Sequence, residues 1–121
     1  MRKKYYPPRP ETIKAKMQKR TLELEKAKEI ISFCNEYYGF DVTTDNRKRY
    51  IIDARFMTIK MIYDYTGLIL KDIGCLFNRK HDTMIHSLNT IESLIEYDKD
   101  IREHHQYLKS KLCHIKNEMI L

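Results

Sequence analysis

The amino-acid sequence predicts an all-α fold, a small bundle of about five helices, and three observations carry that expectation. Apolar residues recur at steps of three and four in one segment after another, the period of a helix face. The prolines are confined to positions 7, 8 and 10, while Gly39 and Gly67 stand where apolar stripes end. A length of 121 residues suits one domain with an arm, and 42% hydrophobic residues with nine tyrosines suffice for a small core.

The opening MRKKYYPPRP is expected to be a flexible or polyproline-like arm, because its prolines oppose a helix. Tyr5 and Tyr6 read as part of a disordered tail rather than a docking peptide. From Glu11, the residues Ile13, Met17, Leu24, Ala27, Ile31, Cys34 and Tyr38 form a stripe closed by Gly39 as a C-terminal cap. The pattern fits one long helix or a basic helix joined to a second starting near Thr21. The division drawn is an arm or helical extension over residues 1–20 and a domain over 21–121.

After the polar stretch DVTTDN comes a second helix, from about Asn46 to Thr66. It has a basic start, Arg47-Lys48-Arg49, and a stripe of Tyr50, Ile51, Phe56, Ile59, Ile62, Tyr63 and Tyr65. Leu70, Ile73 and Phe77 mark a helix of only about eight residues, which needs its neighbours to hold it. A polar turn from Asn78 to Asp82 leads to the stripe Met84, Ile85, Leu88, Ile91, Leu94 and Ile95. A last helix carries Ile101, Leu108, Leu112, Ile115 and Met119, with His105 inside its stripe.

Charge is unevenly spread. The net +6 resolves into +7 over residues 1–20, −4 over 21–45, +4 over 46–82 and −1 over 83–121. Two basic blocks separated by an acidic one suit a molecule that turns particular surfaces towards a polyanion.

Several function classes are excluded or disfavoured. No apolar run approaches the ~18 residues of a spanning helix. The N-terminus lacks a signal peptide's apolar centre, so a cytoplasmic location without membrane contact is expected. Isolated Gly39, Gly67 and Gly74 cannot assemble a phosphate-cradling loop. Cys34, Cys75 and Cys113 are odd in number and far apart, and are expected to be reduced and mostly buried. His81 and His86 are five apart and point to different helix faces, and His104-His105 are adjacent, so no metal site is expected and no cofactor is implied. Asp98 and Asp100 read as caps at a helix junction rather than a catalytic pair, and no enzyme is expected.

A short helix, a tight polar turn and a longer helix beginning Arg79-Lys80-His81-Asp82-Thr83 fit a helix-turn-helix. A helix entering the major groove end-on offers bases its first-turn side chains, while its amides and dipole favour phosphate. Asp82 has a second reading, as N-cap of a helix that starts at Thr83.

These residues resemble the C-terminal DNA-binding domain of the bacterial replication initiator DnaA. The resemblance spans about 80 of the 121 residues. It is carried by Arg55, Thr66, Leu70, Ile73, Gly74, Phe77, Arg79, His81, Thr83, His86, Ile91 and Glu92, with Tyr37-Tyr38-Gly39 at the family's first helix end. It implies a helical domain of the tryptophan-repressor group and double-stranded DNA as partner.

Carried over by position, Arg55 would enter the minor groove, Leu70 would lie near the bases beside Lys71, and Arg79 would meet phosphate. His81 and Thr83 would read bases at the head of the recognition helix, flanked by Lys80 and Asp82. Arg47, Lys48 and Arg49 are assigned to phosphate by their charge. One glycine of the family's turn is missing between Phe77 and Arg79, Lys80 replaces an acidic residue, and Asp82 replaces a threonine. Lysine can donate to guanine and aspartate can accept from cytosine, so the implied target differs from the family's usual box.

Without an ATP-binding motor, such a module would occupy sites or recruit a replication protein, as a replication or transcription regulator of bacterial or phage type. Added attachment would come from the arm or from pairing of two chains as a homodimer, for which the first helix's stripe is the candidate surface unless its own core buries it. Two alternatives are a protein-interaction module that kept the fold without base reading, and RNA binding through the same basic surfaces.

Overall fold

The computed structural model describes residues 10–118, with side chains from 14 to 113. Five helices follow one another: α1 (Pro10–Tyr38), α2 (Arg49–Tyr65), α3 (Leu70–Leu76), α4 (His81–Tyr97) and α5 (Lys99–Glu118). There is no strand among the described residues, in agreement with the all-α expectation. The arm's first nine residues, with Tyr5 and Tyr6, lie outside the described part, as do the side chains of Ile115 and Met119.

α1 is a single helix, with no break at Arg20-Thr21. Pro10 fits at its first position, where the missing N–H has no helical partner to lose. Its described residues are exposed from Lys14 to Leu22, and burial begins at Glu23. From there Ala27 and Cys34 of the expected stripe are fully buried, together with Ile30, which the stripe left out, while Leu24, Ile31 and Tyr38 are half-buried against the chain's own core. Gly39, at φ +82, ends the helix with its N–H on the Asn35 carbonyl.

α2 departs from the one-sided stripe that the sequence suggested. It packs against all four other helices, and Ala54, Met57, Met61 and Ile62 are buried on several faces, while Tyr50 and Tyr63 of the expected stripe stay exposed. A central helix has no wide polar face to keep, which blurs its period. The core is completed by Ile73 and Phe77, by Met84 and Ile91 of α4, and by Leu108 and Leu112 of α5.

Polar contacts fix how the helices are joined. Glu23, itself buried, accepts the Gly67 N–H at 2.7 Å and so ties α1 to the α2–α3 loop. Arg20 donates to Asp72 at 2.7 Å, a link from α1 to α3. The Asp98 carboxylate accepts the N–H groups of Asp100 and Ile101 and caps α5, while the Arg102 guanidinium bonds the last carbonyls of α4 at Ile95 and Glu96. The cysteine expectation is met only in part. Cys34 is buried, which pushes its thiol up to about 11, but Cys75 and Cys113 are exposed on short and terminal helices with too little packed around them.

Candidate nucleic-acid interface

The connection between α3 and α4 is four residues long, from Phe77 to Lys80. Two residues make that brevity workable. Gly74 lies so close to the returning chain that a Cβ there would sit 2.6 Å from the Arg79 carbonyl oxygen, and its own carbonyl accepts the Arg79 N–H at 2.8 Å. Asn78 takes φ 54, the left-handed conformation that asparagine tolerates best after glycine. With one glycine fewer between Phe77 and Arg79 than the resembled family has, Asn78 alone supplies the reversal.

The tight turn starts α4 two residues earlier than expected. Lys80, not Asp82, is the N-cap residue, and no side chain caps the helix. The reading of Asp82 as an N-cap is therefore wrong: it lies in the first turn with its side chain 100% exposed. Lys80, His81 and Thr83 are exposed beside it, and the helix's uncapped end leaves a positive dipole pole at the surface.

A cleft of about 560 Å³ between α2 and α4 brings together groups that are far apart in the chain. It is lined by Asp45, Arg47, Arg55, Phe56, Arg79, Thr83, His86 and Ser87, among others. Arg47 and Arg79 therefore open on the same concavity as the first turn of α4. Lys48 and Arg49, the next residues in the chain, are exposed but do not line it, and Arg49 reaches Asp53 on the other side of α2. The basic run is not the helix start that was expected, because the helix begins only at Arg49. Arg47 lies in the loop, and Lys48 is the N-cap residue, its N–H held by the Asn46 side chain. Arg49 pairs with Asp53 at 3.3 Å. Leu70 is half-buried at the start of α3, and Lys71 after it is exposed.

Arg55 is placed otherwise than a minor-groove residue requires. It is 6% exposed, and its Nη2 donates to the carbonyls of Thr44 at 2.7 Å and Asn46 at 2.6 Å. In this state the guanidinium braces the α1–α2 loop at the wall of the cleft, with its Nη2 committed to those two carbonyls. Its Nε is buried without an acceptor. Burial, and then the neighbouring Arg79 charge, lowers its pKa, while Asp45 opposes that shift.

Asp45 is the residue that sequence reasoning missed. The loop held by Arg55 sets its carboxylate 2.9 Å from Arg79 Nη2, and its side chain is 85% exposed against 29% for the arginine. Nothing in DVTTDN marks one aspartate as special, since the contact spans 34 positions and depends on the turn after α3.

A second concavity, of about 420 Å³, lies between the end of α1, α2 and α5. It is lined by aromatic residues with Asp53, Asp98, Asp100 and His104 and by no lysine or arginine, so it does not suit a polyanion. Among the described residues no cluster of His, Cys, Asp or Glu could hold a metal ion, and no helix is long and apolar enough to cross a membrane.

Sequence comparison adds an independent finding. Over 98 residues, 78% of this chain, the sequence is 26% identical to the chromosomal replication initiator protein DnaA of Flavobacterium psychrophilum. The same protein from Lachnoclostridium phytofermentans is 32% identical over 81 residues, 66% of the chain, and that from Bacteroides thetaiotaomicron 29% identical over 72 residues, 59% of the chain. The chain is similar to part of DnaA. It spans 20%, 18% and 15% of the length of these three proteins, in that order. No family profile and no solved structure matches the chain.

Proposed function

We propose that this chain binds double-stranded DNA through a helix-turn-helix formed by α3 and α4, and reads sequence with the first turn of α4. The likeness to DnaA then concerns the initiator's C-terminal, tryptophan-repressor-like domain. One observation carries the reading: the uncapped start of α4 exposes Lys80, His81, Asp82 and Thr83, and Thr83 among them lines the same cleft as Arg47 and Arg79. Base edges in the major groove are read by such first-turn side chains, and phosphate is held by flanking cations and helix amides. His81 and Thr83 read bases, Lys80 and Asp82 shift the preferred sequence, and Arg47, Lys48, Arg49, Lys71 and Arg79 meet phosphate. Arg55 serves by shaping the loop rather than by touching a base.

The relatives' name, chromosomal replication initiator, favours a role in replication over one in transcription. The module would occupy sites and act with a replication protein, and a second copy or the basic half of α1 would add attachment. Selection from a random duplex pool followed by titration tests this. A defined site should emerge, binding should weaken steeply with salt, and Lys48→Ala should weaken selected and random duplexes alike. Failure to enrich any sequence, or stronger retention of structured RNA than of duplex in competition, would overturn it.

A further inference from the structure

The Asp45–Arg79 pair has a geometry that a free DNA-binding surface does not need. Arg79 sits at the mouth of the α2–α4 cleft, immediately before the first turn of α4, where a phosphate of bound DNA would lie. That position is already taken by a carboxylate at 2.9 Å. The carboxylate does not arrive there by chance motion of a loose loop. Arg55 clamps the carbonyls of Thr44 and Asn46, the residues on either side of Asp45, and the Asp41 carboxylate holds Thr43 through both its N–H and its hydroxyl. The buried Arg55 thus presents the acid to the half-buried Arg79. Since Asp45 itself is largely exposed, it can swing into solvent without unpacking anything.

We propose that the Asp45 carboxylate is an internal substitute for a DNA phosphate on Arg79, displaced when the duplex binds, so that Asp45 sets affinity uniformly across sequences. The inference rests on the DNA-binding reading above. A phosphate on Arg79 competes with Asp45 for the Nη2 donor, and the carboxylate beside the backbone repels it. Both effects weaken binding to every duplex by the same factor, because neither touches a base edge. The worth of a partly exposed ion pair, about 0.2–1 kcal/mol, corresponds to a factor of about 1.4 to 5.

The test compares the intact chain with Asp45→Asn, Arg79→Gln and the double variant by fluorescence anisotropy. The probes are a labelled random-sequence duplex and the selected duplex. Asp45→Asn should bind both probes about 1.4- to 5-fold more tightly, with the ratio between them unchanged and the melting temperature preserved. In the Arg79→Gln background the same change should give at most half that gain, since bulk charge alone then acts. Equal gains in both backgrounds, or no gain from Asp45→Asn while the parent chain binds, would overturn the substitution idea alone. No binding of either duplex by the folded parent at low salt would overturn the DNA-binding reading, and this inference with it.

Discussion

Gly74 has no room for a side chain, and the reason lies in the opposing backbone rather than in its own helix. A methyl group placed there meets the Arg79 carbonyl at 2.6 Å, so Gly74→Ala must push the turn open and shift the head of α4. We expect a loss of about 1–3 kcal/mol in denaturant titration, accompanied by loss of sequence discrimination. Asn78 makes the complementary case. Its left-handed φ of 54 should make Asn78→Gly neutral or mildly stabilising, while Asn78→Ala costs about 1 kcal/mol.

His105, half-buried on α5, gives a pH dependence whose sign is fixed. Burial first, and then the Lys60 and Lys109 charges, lower its pKa below 6.5, with Asp64 opposing. The unfolded chain therefore binds the proton more tightly than the folded one. Its contribution is complete above about pH 6.5 and is lost as the pH falls towards the lower folded value. Melting temperature should accordingly fall less on acidification in His105→Gln than in the parent, and parallel curves would remove His105 from the account.

Among the elements, the helices visible in the sequence were those with one face to bury. α4 shows its stripe, with Met84, Leu88 and Ile91 buried and Leu94 and Ile95 partly so, but Ile85, placed in it from the sequence, is exposed. α3 was legible as a short helix because Leu70, Ile73 and Phe77 keep the spacing. What the pattern hid was the point where α4 begins, which depends on Gly74 facing Arg79 and not on any capping side chain. The central position of α2 was hidden as well, since a helix surrounded by others loses its polar face. The junction of α1 with the α2–α3 loop was equally silent, because it rests on one buried carboxylate 44 positions from its partner. Glu23→Ala should cost about 1.5–3 kcal/mol, the worth of a hydrogen bond to a charged group, and Glu23→Gln less, because an acceptor for the Gly67 N–H remains. Urea titration of the two variants separates these outcomes.

At the level of the whole molecule, charge and packing are arranged independently. The core sits between α2 and the four helices around it, and the basic residues assigned to phosphate lie on the α1–α2 loop, at the starts of α2 and α3 and on the turn before α4. The residues assigned to DNA from the sequence divide accordingly. Arg47 and Arg79 open on one cleft with Thr83, and Lys48, Arg49, Lys71, Lys80, His81 and Asp82 are exposed, whereas Arg55 is turned inward. That inward turn was invisible because an arginine at a matching position keeps its identity whether it points at solvent or at two loop carbonyls. Of the two concavities described, the α2–α4 cleft carries arginines and the other is acidic and aromatic, so the former suits a polyanion better.

The most direct measurement is the ratio of affinities for the selected duplex and a scrambled duplex of equal length and charge, taken for the parent chain and for His81→Ala at one salt concentration. If the first turn of α4 reads bases, the substitution should reduce that ratio by a factor of about 5 to 150, equivalent to ~1–3 kcal/mol, with little change in binding to the scrambled duplex. A ratio left intact, or equal weakening of both duplexes, would contradict the claim that this helix end recognises sequence.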